Sequence, residues 1–450
     1  MTPDALIDYL SRAGPTPTGT LIERLGVAKA TLHRARRKCG ERILVQGKAR
    51  ATTLAVRRPV DGVPEGPIPV YRVSNTGGVD AIAALQPVEP FGYAVSTPEP
   101  SPEAGFHHAD PANTDSATTL DLPWFLTDLM PQGYLGRAWL RRHPDLGFPR
   151  DPASWSGDDV LRFVVLHGAD LPGALLIGAT AKAAWLDGRT GGHTLDAGQL
   201  ASKLPHLAEQ SRDLGGASSA GGEQPKITFR LAHADGSITH HIAKFTATVA
   251  QAVGRRWADL LVAEHLALRA LHSRGVPASQ SQIVDAGQRR FLVVARFDRH
   301  GARGRSGLTS LLSLDLDGVG SRRRSWPIVT QRLFREGRLT AADHHRTRWL
   351  EAFGHAIGNT DMHLGNLSLR LDGLRITGLA PVYDMLPMYY APAASGELRS
   401  EPFDPWAHLE DPPEGVIDAA RTYWSTVATD ARVSADFQRL AAHQAEALRR

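Results

Sequence analysis

Apolar residues at helical spacing open the chain. Leu6, Ile7 and Leu10 mark one helix between Asp4 and Arg12, and Leu21-Ile22 begins another after the cap-forming Thr16-Pro17-Thr18-Gly19-Thr20. Gly26-Val27 interrupts the pattern as a tight turn, and Ala28 to Lys38 resumes it with Leu32 facing inward. Ile43-Leu44-Val45 and Thr52-Thr53-Leu54-Ala55-Val56 then read as two short strands joined through Gln46-Gly47. Four prolines (Pro59, Pro64, Pro67, Pro69) predict a semi-rigid linker. Beyond it, Ile68–Val73, Ala81–Leu85 and Tyr93–Ser96 are the short strands of a small sheet, and residues 98–122, rich in Pro, Ser, Thr and Asp, form a loop or insert. Core-like apolar runs return at Val160–Leu166 and Ala174–Ile177.

The second half alternates strands with long helices. Ile227–Leu231, Ile242–Phe245 and a run from Phe291 are strand-like, and Trp257–Ser273 is a helix with Trp257, Leu260, Leu261, Leu268 and Leu271 on its apolar face. Trp326–Glu336 and Ala341–Ile357 are helices, the second packing Trp349, Leu350, Phe353 and Ile357. Leu367–Leu371 is a strand, Asp384 ends a second strand-like segment, and helices close the chain from about Pro413.

Charge changes this picture at one end. Residues 1–60 hold twelve Lys/Arg against four Asp/Glu, a net of +8, so the other 390 residues sum to −4. Helix, glycine turn, basic helix and hairpin together predict a winged helix-turn-helix, with Lys29, Arg34, Arg36, Arg37 and Lys38 on the helix and Lys48 and Arg50 on the wing. A basic module of this kind neutralises phosphates, which points to double-stranded DNA; a protein-docking face is the alternative. Cys39 is the only cysteine, which excludes an internal disulfide and a multi-cysteine zinc site. No run of eighteen apolar residues and no secretory pattern are visible, so no membrane partner and a cytoplasmic location are expected. His107-His108 and His344-His345 read as polar surface, and Arg322-Arg323-Arg324 as a solvated run.

Candidate chemistry concentrates in four places. In Gly358-Asn-Thr-Asp-Met-His-Leu-Gly-Asn366, Asp361 and Asn366 lie five residues apart, a spacing that lets a carboxylate meet a hydroxyl while an amide oxygen holds a metal ion; kinase catalytic loops use Asp and Asn in this way, and a polar turn is the bland reading. Gly215-Gly-Ala-Ser-Ser-Ala-Gly-Gly-Glu-Gln-Pro-Lys226 leaves backbone N–H groups free for phosphate, with Lys226 as a point charge, though no Walker triplet opens a helix there. Lys244 is the one lysine on its strand, and Glu264 falls in an apolar helical stripe where an unpaired carboxylate costs several kcal/mol. Its partner is either Lys244, the arrangement that fixes a nucleotide-gripping lysine, or a nearby arginine. Asp384, about twenty residues after the first acidic loop, is placed to coordinate Mg²⁺.

Ser219-Ala-Gly-Gly-Glu-Gln-Pro-Lys226, Ala295-Arg-Phe-Asp-Arg299, Gly358–Asn366 and Ala380-Pro-Val-Tyr-Asp384, in this order and spacing, resemble HipA-family serine/threonine kinases over roughly residues 70–450. The fused front module looks like the YjjJ-type subgroup. The resemblance implies an α+β, bilobal kinase fold: a winged helix-turn-helix at 1–60, a mixed β/α N-lobe at 61–300 and a mainly α C-lobe at 301–450. It further implies ATP and Mg²⁺ as cofactors, with Asp361 as catalytic base and Asn366 and Asp384 as metal ligands. Lys244, supported by Glu264, would contact phosphates together with Lys226, beneath Ser219, Ala220, Gly221 and Gly222, with His363 also among the cofactor-binding residues. Ala295 to Phe297 would be the hinge, Ala295 standing where the family often has an acidic residue. Ser219, or its neighbour Ser218, matches the family's autophosphorylated serine, whose modification adds nearly two negative charges to a phosphate-binding loop and switches the kinase off. The implied partners are a protein substrate, with aminoacyl-tRNA synthetases as the family's known targets, and an antitoxin. A DNA-binding regulator with a degenerate nucleotide-sensing domain and a small-molecule phosphotransferase are the alternatives.

Overall fold

The computed structural model describes residues 1–98, 103–107, 122–188, 192–213, 224–315 and 325–449. The chain begins with α1 (Pro3–Ala13), β1 (Thr16–Pro17), α2 (Thr18–Leu25), α3 (Lys29–Cys39), β2 (Ile43–Gln46) and β3 (Thr53–Val56). Leu6, Leu10, Leu21, Leu32, Ile43 and Leu54 pack into one small core. Thr2 caps α1 by accepting from the Ala5 N–H. The expected threonine cap of α2 does not form: Pro17 holds that position with no side-chain bond, because Thr16 and Pro17 pair with Leu54 and Thr53 as a third strand of the sheet. The β2–β3 hairpin turns at Gly47, where φ is 82° and an added Cβ would stand 2.2 Å from the Ala51 carbonyl oxygen.

The proline-rich segment is not a free linker. Arg58 forks onto Asp158, which also accepts from the Tyr93 hydroxyl at 2.7 Å, and Val60 is buried in the main core. Backbone bonds from Glu89 to Val56 and from Arg58 to Pro87 continue the hairpin onto the next sheet, and the Gln46 amide reaches the Val95 carbonyl. The front module is therefore docked on the body.

That next sheet has the antiparallel order β7-β6-β5-β4-β8, from β4 (Ile68–Val73), β5 (Val79–Pro87), β6 (Tyr93–Ser96), β7 (Gly105–His107) and β8 (Leu175–Ile177). With it go α4 (Trp124–Thr127), α5 (Gly133–Arg142), α6 (Gly157–His167) and α7 (Gly178–Leu186). The apolar run at 160–166 is thus a helix, started by a Ser156–Asp159 capping box. His107 Nε2 donates to the Glu103 carbonyl; His108 and most of the 98–122 insert lie outside the described residues.

A second five-stranded sheet, β12-β13-β11-β10-β9, is built from β9 (His193–Asp196), β10 (Lys226–Ala232), β11 (Ile238–Phe245), β12 (Ser281–Ala286) and β13 (Arg289–Ala295). α8 (Leu200–Asp213) covers one face, giving a core of its own around Leu204, Phe229, Phe245 and Phe291. α9 (Ala252–Ser273) packs under the same sheet but joins the main core through Leu260, Val262, Ala263 and Leu271.

The rest is mostly helical: β14 (Arg299–His300), β15 (Gly304–Arg305), β16 (Gly307–Ser310), α10 (Leu311–Leu314), α11 (Trp326–Arg335), α12 (Ala341–Ala356), β17 (Ser368–Asp372), β18 (Arg375–Leu379), α13 (Val416–Thr429) and α14 (Ala435–Ala447). Its core, holding Trp326, Phe353, Tyr390, Trp424 and Phe437, is continuous with that of the β4–β8 region. The stretch 61–300 thus holds two sheets with separate cores, and the first of them shares its core with the helical lobe rather than with the second sheet. No helix of the described residues is long and apolar enough to cross a membrane.

Candidate active site

Antiparallel register sets Lys226 of β10 directly opposite Lys244 of β11, while their neighbours Ile227, Ala243 and Phe245 are buried in the core under α8. Both ammonium groups are thereby offered to the cleft between the two lobes. α9 supplies Glu264, only 1% exposed, and its two oxygens each accept from Lys244 Nζ at 2.6 Å. The partner of the buried carboxylate is therefore the strand lysine, not an arginine. Asp384 Oδ1 contacts the same ammonium from the opposite lobe, so one lysine bridges the lobes.

This triad sets the charge states. Burial disfavours the ammonium, but Asp384 and then Glu264 outweigh it and hold Lys244 above its ordinary value. Burial also opposes ionisation of Asp384, yet Lys244 and Lys226 bring it down to about 2. Glu264 is raised, by burial first and by the Asp384 charge against the pull of Lys244.

The Asp361 loop follows α12 and is tied to the Asp384 segment by one residue that composition did not single out. Asn359, 3% exposed, accepts from the Asp361 N–H at 3.1 Å and donates to the Asp384 carbonyl at 3.3 Å. Its signal was a short amide two positions before the aspartate, a residue type that folds the backbone around itself. Asn366 Nδ2 donates to the Asp361 carbonyl at 2.7 Å, leaving Oδ1 as its acceptor. The His363 ring takes the Gly365 N–H, and its carbonyl takes the Trp326 indole N–H. Asp361 stands exposed at the rim, and its carboxyl is still raised, by the surrounding protein first and by Asp384 against His363 and the lysines. Asp384 has φ of 51°, a left-handed conformation uncommon outside glycine that is characteristic of constrained sites.

The oxygens left to Asn366 (Oδ1) and Asp384 (Oδ2) are donors of the type that suits a hard cation such as Mg²⁺, which takes one or two protein ligands and completes its shell with water and phosphate oxygens. Among the described residues no group of three or more His, Cys, Asp or Glu is gathered to hold an ion by itself.

The hinge expectation changes in detail. The Ala295 N–H already donates to the Gln280 carbonyl at 2.8 Å and the Arg296 N–H to His240 at 2.8 Å, so neither amide is free for a base. Phe297 instead stacks its ring on Tyr383, at 6.1 Å between centroids, and the Tyr383 hydroxyl bonds the Gly365 carbonyl and Ser368. Tyr383, also not singled out in the sequence, thus links the hinge to both acidic loops. Ser218, Ser219, Ala220, Gly221, Gly222 and Arg322–Arg324 lie outside the described residues. At the front, Lys29, Arg34, Arg37, Lys38 and Lys48 are exposed and Arg36 half-buried, and the Arg50 side chain is outside the description.

Residues 65–186 match the family described as "YjjJ-like toxin, middle domain", and residues 218–447 match "HipA-like C-terminal domain". The chain is 35% identical to Toxin YjjJ of Escherichia coli over 445 residues, 97% of this chain and 95% of that protein. In fold it is similar to a chain of the Shewanella oneidensis HipA, HipB and operator DNA complex, with a TM-score of 0.50 and 15% identity over 85% of this chain and 95% of that one. The match over residues 218–447, that over residues 65–186 and the 35% identity along 97% of the chain place this protein in the HipA-like family, within its YjjJ-like group.

Proposed function

We propose that the protein is an ATP- and Mg²⁺-dependent protein serine/threonine kinase of toxin type. The observation that carries this reading is the bridge from Lys244 to both Glu264 and Asp384, with Asp361 and Asn366 across the same cleft. Lys244, held by Glu264, and Lys226 beside it would bind the nucleotide's phosphates, and Asn366 and Asp384 would hold the metal. Mg²⁺, when bound, would neutralise charge that develops on the transferred phosphoryl group. Asp361, at the open rim, would accept the proton of the substrate hydroxyl, and its raised affinity for protons suits that task. Ser219 or Ser218 would be the protein's own phosphosite. The external substrate is a protein, with an aminoacyl-tRNA synthetase the first to try on family grounds. The test is incubation of the purified chain with labelled ATP and Mg²⁺, followed by mapping of every phosphorylated residue.

The front module we read as a DNA-binding winged helix-turn-helix. Its support is that Lys29, Arg34, Arg37 and Lys38 of α3 and Lys48 of the hairpin turn are all exposed. The HipA-like relative from Shewanella oneidensis was solved with HipB and operator DNA, which makes duplex DNA and an antitoxin the partners to test. Arg34→Glu combined with Arg37→Glu should abolish salt-dependent duplex binding, measured by anisotropy, and undiminished binding would overturn the assignment.

A further inference from the structure

A second concentration of charge lies on the same sheet. His240 is four residues along β11 from Lys244, ~13 Å at about 3.3 Å per residue. There a cavity of about 230 Å³ opens between β10–β11, the end of α7 and the β14–β15 hairpin. Arg230, Arg296, Arg299, Arg303 and Arg305 line it, and Asp170 is the one carboxylate among the described lining residues.

The buried part of this cluster is short of negative charge. Asp298 accepts from Arg296 at 3.0 and 2.9 Å and from Arg299 at 2.6 Å. Asp170 meets Arg299 at 3.0 Å but stands 3.9 Å from Arg296 and 3.8 Å from Arg305, beyond hydrogen-bond distance. Among the described residues two carboxylates thus serve three guanidinium groups, and Arg305 is the one without a carboxylate at hydrogen-bond distance. Its side chain is 2% exposed, one terminal nitrogen donates to the Ala169 carbonyl, and the other, Nη1, has no hydrogen-bond partner among the described residues. Burial first, then the neighbouring Arg299, outweigh Asp170 and pull its pKa to about 9. A buried charged donor without a partner is unfavourable, and native proteins rarely keep one without use.

The arginines are also held in place. Trp185 stands 5.9 Å from the guanidinium carbons of both Arg303 and Arg305. Gly304 between them lies so close to the Asn75 carbonyl that an added Cβ would sit 1.9 Å from it.

We propose that this cavity binds a phosphate-type oxyanion at a site separate from the candidate catalytic cleft, with Arg305 Nη1 as the central donor and Arg303 and Arg230 adding charge at its mouth. The excess of positive charge favours a dianion over a carboxylate, and the planar fork of arginine suits a tetrahedral oxyanion. The volume suits inorganic phosphate or the head of a phosphoserine rather than a whole nucleotide. Because the lining comes from β10, β11, α7 and the residues just after Ala295–Phe297, an occupant ties these segments together beside the hinge.

The test uses the full-length protein, calorimetric titration and thermal unfolding, with inorganic phosphate and free phosphoserine as probes and acetate at equal ionic strength as the control. Phosphate should raise Tm saturably and acetate should not. Arg305→Met should weaken phosphate binding about tenfold or more, and Arg303→Ala, an exposed position that leaves the fold intact, by a smaller factor. Lys226→Gln, in the other charge cluster, should leave it unchanged. Tighter binding of phosphoserine than of phosphate assigns the site to a phosphorylated residue, and the reverse order assigns it to the free ion; either supports the proposal. Equal response to acetate, no saturable phosphate binding, binding retained in both arginine variants, or binding lost in Lys226→Gln would each overturn it.

Discussion

The cleft and the arginine cavity are both assemblies of ions on one sheet, balanced in opposite senses. In the cleft, Glu264, Asp384 and Asp361 face Lys244 and Lys226, an excess of negative charge next to an oxygen donor pair. In the cavity, three buried arginines share Asp170 and Asp298, an excess of positive charge. The first is suited to a cation brought with phosphates, and the second to an anion alone. Buried ion clusters seldom contribute much net stability, and their imbalance is more informative than their number.

The largest expected effect separates the two by activity. Asp384→Ala should lower phosphotransfer by about three orders of magnitude or more, in the range lost when a positioned catalytic group is removed. Arg305→Met should leave the rate within about threefold, since the cavity it lines meets β11 at His240, four strand positions from Lys244. Equal losses in a labelled-ATP assay would erase the distinction.

Next comes stability, with opposite signs. Glu264→Gln removes one partner of a fully buried pair and should cost about 3 kcal/mol in urea unfolding, the low end for such a loss because Asp384 still faces the ammonium. Arg305→Met removes a cation with no full partner and should be neutral or stabilising by about 1 kcal/mol. A cost as large as that of Glu264→Gln would mean that Arg305 is fully satisfied.

The smallest effect is on pH. Asp384 near 2 and Arg305 near 9 both keep their charge between pH 6.5 and 4. His265, held to about 4 by burial first and then by nearby arginines, stays neutral there in the folded chain but charges in the unfolded one. The unfolded chain binds the proton near 6.5 and the folded chain only near 4, so stability is full above that window and falls as pH drops through it. His265→Gln should flatten this slope in acid unfolding, and an unchanged slope would assign it to other groups.

The cleft was legible in the sequence because its parts carry local signals. A lone strand lysine, a carboxylate in an apolar helical stripe and two acidic turns each break a pattern. Asn359 and Tyr383 break none and act only through folded contacts. The cavity was hidden for a different reason. Asp170 meets Arg299 across 129 positions, and no spacing rule joins them. Composition said less at residues 59–69, where prolines suggested a semi-rigid linker and gave no sign that Val60 joins the main core. Periodicity gave the apolar run at 160–166 without its helical form until the Ser156–Asp159 cap was seen.

The central claim is that phosphate is transferred at Asp361. It is tested most directly by incubating the full-length protein and its Asp361→Ala variant with labelled ATP and Mg²⁺ and mapping the label by mass spectrometry. The account predicts label on serine or threonine of the wild type, with Ser218 and Ser219 the first sites to inspect, and none on the folded variant. No label on the folded wild type, or equal label on both proteins, would contradict it.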